Sequence, residues 1–416
     1  MLSAGSSMSW ESLRALLSRP GLALLALGLF VQLSGFLFNN DGSRQATQVY
    51  LLLFVPALVL LLVERLALPL WRQPCALALL ALLSWVVLRG SLDGAEKWPG
   101  YWFKVALLIL LYVFAISHLM SKGVIGIPLA LAVLLACCFA WLTLIVQFVV
   151  LDKPLAYEVL RSTGRLRELG WHGFADFSHP IPAGLYHGVF AVLLLGVLVE
   201  RELKAWGWLP VLVGLAGLLV YVLLTFSRGA WFSTLAGSLV LLVLSPQRRA
   251  RILLLIGALA IVLMMVVFWS RVEHEWFLGT SQRVPIWLNW LDRLPEFWIL
   301  GKGAGVDLIY RYPWGDVVNR AHSQYLQLWF EYGVVGFALF LLLLGSVLLK
   351  AWRLRADPAA RLALATLVFA LVAMVSDISS IFSRPSTYWV VLWLPIGLIL
   401  GLRAPVGQPR VDGGQR

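Results

Sequence analysis

His322 stands at a boundary. In NRAHSQYLQLWFEYGVVGF, residues 319–337, a polar loop gives way to a long apolar run at this imidazole. A span that begins near Ser323 puts His322 at or just before a helix N-terminus. The positive end of the helix dipole disfavours imidazolium there. A neutral imidazole accepts a proton, so the position suits a general base. It equally suits an interfacial histidine that hydrogen-bonds a loop carbonyl. Glu331 lies nine residues further on, inside the run. At ~100° per residue the two side chains point to opposite sides of a helix, so they do not make a simple acid–base pair. Glu331 is expected to pair with another helix. Gly333 and Gly336 suit close helix packing.

Arginines supply the second kind of chemistry. Arg228, in TFSRGAW, falls between two apolar runs with almost no loop between them. At that depth it either snorkels to the interface or aims a guanidinium fork at phosphate. Arg283 opens SQRVPIWLNWLDRLPEFW, where Ile286, Trp287, Trp290, Leu291 and Leu294 recur at helical spacing. That spacing predicts a short amphipathic helix on the outer membrane surface. Arg283 at its start either reaches a lipid headgroup or simply anchors the helix. RSTGRLRELGWHGFADFSHP carries Arg161, Arg165 and Arg167, which either hold phosphate or solvate the loop.

The same stretch holds His172 and His179, with His187 beyond. Their spacing is not that of a helical metal-binding pair, and only Glu168 and Asp176 are acids nearby, so no metal site is predicted. No D-x-D or tight acidic pair stands in an outer loop. Glu273 and Glu275 flank His274 without a second cluster. A divalent-cation glycosyl- or phosphotransferase wants such carboxylates. An enzyme here must stabilise a phosphate leaving group with arginine instead. GKGAG, 301–305, lacks the strand-turn-helix setting of a nucleotide loop and is read as a turn.

The elements that position these residues follow from composition. The chain of 416 residues is 61% hydrophobic and 13% charged, about half the charge of a soluble domain. Several runs reach the ~20 apolar residues that cross a bilayer. The ~10-residue alternating segments of a β-barrel are absent from the sequence. The fold class is therefore an all-α polytopic membrane protein, a single integral membrane unit over 1–416. About 12 spans are expected, near 21–38, 46–63, 75–88, 104–120, 123–151, 183–199, 207–226, 229–244, 252–269, 325–349, 362–378 and 387–402. Cys75, Cys137 and Cys138 all lie in apolar runs and suggest neither a disulfide framework nor a thiolate site. The first apolar run reads as an anchor rather than a cleaved signal.

Basic residues near span ends set the orientation. With the N-terminus inside, the inner segments hold Arg14, Arg19, Arg65, Arg72, Lys122, Arg201, Lys204, Arg248, Arg249, Arg251, Lys350, Arg353, Arg355, Arg361 and Arg403. The short outer loops hold Arg44, Arg89, Lys97, Arg228 and Arg384. Both termini are then inside. Two long loops, 152–182 and 270–324, face out despite their own arginines. An anionic substrate handled on the outer face gives those arginines a purpose.

SRGAW, SQRVPIW, GKGAG and HSQYLQLWFEYGVVGF, in that order, resemble the signature of the O-antigen ligase and polymerase superfamily. Ser323 replaces an asparagine common in that motif, and HPIPAG departs from the family's first-loop pattern. The resemblance implies a multispanning GT-C-type glycosyltransferase of the bacterial inner membrane with a periplasmic site. It implies a glycan donor on undecaprenyl diphosphate and, for a ligase, a lipid A-core sugar hydroxyl as acceptor. The implied displacement is inverting and needs no metal or other cofactor. His322 is then the base, and Arg228, Arg283 and Arg161 hold the diphosphate. Arg165, Gln324 and Tyr325 are further substrate contacts. Membrane lipids are expected partners and nucleic acid is not. The basic outer face favours a phosphorylated lipid A-core acceptor, hence a ligase. A polymerase or a protein O-oligosaccharyltransferase of the same superfamily is the alternative. A transporter of an anionic lipid is the non-enzyme alternative.

Overall fold

The structure, a computed structural model, describes Leu16 and residues 19–403 apart from 40, 65–67, 93, 278, 280, 281 and 379. Arg14 and Arg65 lie outside the described residues. In chain order the helices are α1 (Pro20–Leu37), α2 (Gly42–Val63), α3 (Pro74–Gly90), α4 (Pro99–Ser121) and α5 (Gly126–Val150). There follow α6 (Tyr157–Ser162), α7 (Pro180–Glu200), α8 (Trp208–Leu224), α9 (Arg228–Leu244) and α10 (Arg248–Val267). The last are α11 (Trp269–Phe277), α12 (Arg283–Asp292), α13 (Gln324–Arg353), α14 (Pro358–Ser376) and α15 (Thr387–Gly401). A short antiparallel hairpin, β1 (Tyr310–Arg311) and β2 (Val317–Val318), pairs Tyr310 with Val318.

Eight of these helices, α1, α2, α4, α5, α7, α10, α13 and α14, are long and apolar enough to cross a membrane. The shorter apolar helices α3, α8, α9 and α15 stand where the twelve-span reading put the rest. The expected twelve thus resolves into eight of spanning length and four shorter ones among the described residues. Leu255 and Leu259 of α10 are 71% and 69% exposed, which suits a lipid environment rather than water. The protein is an all-α, multi-pass membrane protein.

Small residues let the central helices approach closely. A Cβ at Gly237 of α9 would lie 2.9 Å from the Ala365 carbonyl of α14. α9 and α14 run antiparallel, so the start of α9 lies beside the end of α14. At the opposite end of the bundle Arg361 makes a two-pronged ion pair with Glu200 at 2.8 and 2.7 Å. Arg249 donates to the Arg201 carbonyl, and Lys350 to Gln73 and the Leu400 carbonyl. Arg201, Arg249, Lys350 and Arg361, all assigned to inner segments from sequence, thus anchor one end of the molecule.

The 270–324 stretch has a core of its own. Ile286, Trp290, Phe297, Leu308, Tyr312, Ala321 and Phe330 pack together, apart from the main bundle core. This corrects the reading of α12 as a helix laid on the membrane by one apolar stripe. Ile286 and Trp290 face the loop's core, while Leu291 is 56% exposed on the other side.

Candidate active site

Four arginines from distant parts of the chain line one cavity of about 380 Å³: Arg161, Arg165, Arg228 and Arg283. Arg161 sits at the end of α6. Arg228 and Arg283 are the first residues of α9 and α12. Two helix N-termini thus meet at the cavity, and such ends favour anions even without a side chain. Ser227 caps α9 by accepting from the Ala230 N–H. Arg165 donates from Nε to the Thr225 carbonyl at 2.8 Å and from Nη2 to the Phe226 carbonyl at 3.1 Å. These satisfy carbonyls that the end of α8 leaves open, so Arg165 holds the α8–α9 turn as well as lining the cavity.

Two carboxylates compensate the guanidinium groups. Glu275 of α11 accepts from Arg161 Nε at 2.6 Å and from the Tyr157 hydroxyl at 2.8 Å. Its Oε2 lies 3.9 Å from Arg228 Nε, and its backbone carbonyl accepts from Arg228 Nη1 at 2.9 Å. Burial, then the contact with Glu275, pushes the Tyr157 phenol up to about 12, so it stays a donor. Asp377, just past α14, accepts from Arg283 Nη2 at 3.1 Å and from Ser227 Oγ at 2.9 Å. Its side chain is 2% exposed. A Cβ on Gly229 would lie 2.0 Å from Asp377 Oδ2, so only glycine lets α9 come this close.

His322 lines a second cavity, of about 700 Å³, with His179, Asp176 and residues from the α1–α2 turn and the start of α15. The two cavities share Ile181 and Asp377 as a common wall. The backbone at His322 is left-handed, φ +51°. Histidine tolerates this better than bulky residues do. Burial lowers the pKa of the imidazole, Arg283 lowers it further, and Asp377 acts in the other direction. His322 is therefore held neutral at neutral pH, as a base must be. A neutral imidazole thus sits one wall away from a guanidinium cluster.

Residues 212–341 match the sequence model of the family described as O-antigen ligase. The chain is also 27% identical over 381 residues to a protein named O-antigen ligase from Pseudomonas aeruginosa strain PAO1. That alignment covers 91% of this chain and 90% of the relative. The resemblance is to the O-antigen ligase family. The matched segment, 212–341, contains Arg228, Arg283, His322 and Glu331, while Arg161, Arg165, His179 and Asp377 fall outside it.

Within the matched segment the structure corrects the role expected for Glu331. It is buried, but it pairs with the loop and not with another helix. Its Oε1 accepts from Gln327 Nε2 at 2.7 Å and meets Arg320 at 3.4 Å; its Oε2 accepts from the Gly305 N–H at 2.9 Å. Gln327 Oε1 in turn accepts from the Ala321 N–H at 3.0 Å, and Trp287 Nε1 donates to the Ala321 carbonyl at 3.0 Å. Both backbone groups of the residue before His322 are thereby fixed. GKGAG is a turn, as read, and it is not open to an outside anion. Its Lys302 and Gly303 amides bond the Phe330 and Glu331 carbonyls. Gly333, φ +66° and ψ −173°, breaks α13 and frees those carbonyls. It abuts the Ile299 carbonyl of the loop rather than a neighbouring helix, whereas Gly336 lies against Trp85 of α3 as expected.

Gln324 and Tyr325 line neither cavity. The Tyr325 hydroxyl donates to the Leu371 carbonyl of α14. Glu275 and Asp377 are the site residues that sequence reasoning passed over. Glu275 was noticed only as a neighbour of His274. Asp377 is a lone acid between an apolar run and a serine-rich turn, SDISS, and that placement is its one signal.

Proposed function

We propose that this protein is an O-antigen ligase, which joins a glycan carried on undecaprenyl diphosphate to a sugar hydroxyl of lipid A-core. The observation that carries the reading is the convergence of Arg161, Arg165, Arg228 and Arg283 on one cavity that adjoins His322 through Asp377. A dianionic leaving group needs several preorganised donors, and the acceptor needs a neutral base beside them. Arg228, Arg283 and Arg161 bind the diphosphate, with Arg165 behind them. His322 takes the proton from the acceptor hydroxyl as its oxygen attacks the anomeric carbon. The bond from that carbon to the diphosphate oxygen breaks, and the electron pair leaves with the diphosphate. Attack opposite the leaving group inverts the anomeric centre. The proton then passes from His322 to solvent. Asp377 orients Arg283 and biases His322 electrostatically.

Guanidinium groups carry the charge in this scheme, so turnover is independent of divalent metal. The site end of the bundle faces the periplasm of the inner membrane, the ends assigned as inner face the cytoplasm, and the short apolar helices complete a GT-C-type bundle of twelve spans. The test is transfer by purified protein from glycan-diphosphate-lipid to rough lipopolysaccharide in excess chelator. Sustained transfer is expected. Loss on chelation with recovery on adding magnesium or manganese overturns the arginine scheme. A cysteine at position 311 labelled by an impermeant reagent only after the inner membrane is opened overturns the sidedness.

A further inference from the structure

The left-handed backbone at His322, φ +51°, is strained for a residue with a Cβ. Such a residue persists only where its surroundings over-determine it. The surroundings here are specific. Ala321, the residue before it, is buried. The Ala321 N–H donates to Gln327 Oε1 at 3.0 Å, and the Ala321 carbonyl accepts from Trp287 Nε1 at 3.0 Å. Ser323, the residue after it, has its carbonyl bonded to the Gln327 backbone N–H at 2.9 Å. Gln327 therefore holds the chain on both sides of the imidazole.

The orientation of that glutamine is itself imposed. Its Nε2 donates to Glu331 Oε1 at 2.7 Å and to the Val306 carbonyl at 3.3 Å. Glu331 accepts from the Gly305 N–H at 2.9 Å through its other oxygen and meets Arg320 at 3.4 Å. Two acceptors draw the amide nitrogen to their side, which leaves the amide oxygen for the Ala321 N–H. Gln327 is buried, so a reversed amide would set donor against donor and acceptor against acceptor. Trp287 lies on α12, one turn after Arg283, which lines the arginine cavity. One short helix thus carries both a guanidinium of that cavity and the strut to the chain at His322. Trp287, Gln327 and Glu331 themselves line neither cavity.

We propose that Trp287, Gln327 and Glu331 are positioning residues for His322: they clamp the Ala321–Ser323 turn and so hold the imidazole at a set distance from the guanidinium cavity. This rests on the reading of His322 as the base and deepens it. Trp287 fixes the turn from the side of the arginine cavity, and Gln327 fixes it from the helix that follows. Glu331 acts one step further back, by choosing which end of the Gln327 amide meets Ala321. All three work through the backbone at His322 and touch no substrate.

The test is a double-mutant cycle in lipid nanodiscs, with rates scaled to folded protein. Trp287→Phe keeps a ring in the loop's core but loses the indole N–H. It is expected to lower kcat about three- to tenfold, the worth of one hydrogen bond, and to leave both substrate KM values unchanged. In a His322→Ala background the same substitution should change the residual rate less than about twofold, because no base is left to aim. An equal loss in both backgrounds marks a purely structural tryptophan and overturns the proposal. A raised KM with kcat intact marks a substrate contact and overturns it too, as does a wild-type kcat in Trp287→Phe. Gln327→Glu sets two acid side chains face to face and should lower kcat at least about tenfold. Adding Glu331→Gln reverses the pair, with the acceptor at 327 and the amide at 331, and should return kcat to within about threefold of wild type. A recovered melting temperature without a recovered kcat counts against the proposal. If His322→Ala transfers at the wild-type rate, the base reading falls and takes the proposal with it. If His322→Ala is slow but the cycle is additive, only the positioning falls.

Discussion

Arg361 and Arg228 are the same side chain at opposite ends of one helix bundle, and their surroundings differ. Arg361 is gripped on every side. Both of its carboxylate bonds go to Glu200, its Nη1 reaches the Arg355 and Ala356 carbonyls, and its side chain is 5% exposed. Arg228 donates to the Glu275 backbone carbonyl at 2.9 Å but lies 3.9 Å from its carboxylate, is 19% exposed, and faces a cavity. The first arrangement is complete in itself and works as a rivet. The second holds its charge near a carboxylate without closing round it, so an incoming anion can compete. How far an arginine is enclosed, more than that it has a partner, separates the riveting charge from the cavity-facing one here.

The comparison breaks most visibly at the base. His322→Ala is expected to slow transfer about 10²–10⁴-fold, the usual contribution of a general base, with donor binding little changed. A near wild-type rate in a matched assay would remove histidine from the chemistry. Next in size is the rivet. Arg361→Ala strands Glu200 in a buried place, which costs about 3–5 kcal/mol, read as a large loss in thermal stability. The protein that remains folded should keep its donor KM; a specific donor defect would mean the two ends are not separate in function. Arg228→Lys keeps the charge but loses the fork and should raise the donor KM about tenfold without lowering stability.

A smaller change of opposite sign sharpens the contrast. Glu275 competes with the diphosphate for Arg161 and Arg228, so Glu275→Gln should tighten donor binding about two- to fivefold, as loss of a partly exposed pair implies. Weaker binding would show that Glu275 preorganises the arginines instead. The subtlest expectation concerns pH. Burial and Arg283 lower the His322 pKa, so kcat/KM should hold through neutral pH and fall on the acid side, below the ordinary histidine value. Asp377 favours the imidazolium, so Asp377→Asn should move that acid limb to lower pH. A shift to higher pH would contradict the assigned influence of Asp377.

The parts of the site legible in sequence were those with a local contrast. His322 and Arg228 stand out because a polar residue interrupts an apolar pattern, and Arg283 because it begins a helical one. Their convergence was not legible. The bond from Arg283 to Asp377 spans 94 positions and that from Ser227 to Asp377 spans 150. Nothing near Asp377 in the chain says what it is for. Glu331 was visible as a buried acid, but besides Gln327 of its own helix its partners, Gly305 and Arg320, lie in a loop that folds back on the helix, which periodicity does not reveal. α12 misled for a similar reason, since an apolar stripe reads alike whether it meets lipid or a loop's private core. The helical spans came through because length and apolarity suffice to mark them, and the four shorter helices are where that signal weakens.

The break at Gly333 has a mechanical meaning. Above it, Leu326, Phe330 and Glu331 accept hydrogen bonds from Trp290, Lys302 and Gly303, so this first stretch of α13 is fastened to the loop. Below it, the helix runs on to Arg353 as an ordinary apolar rod. Bilayers differ in thickness, and rods accommodate the difference by tilting. A continuous helix would swing His322 through the same angle. With a glycine joint between them, the rod can lean while the imidazole keeps its aim. The geometry around His322 is thereby insulated from the membrane that surrounds it.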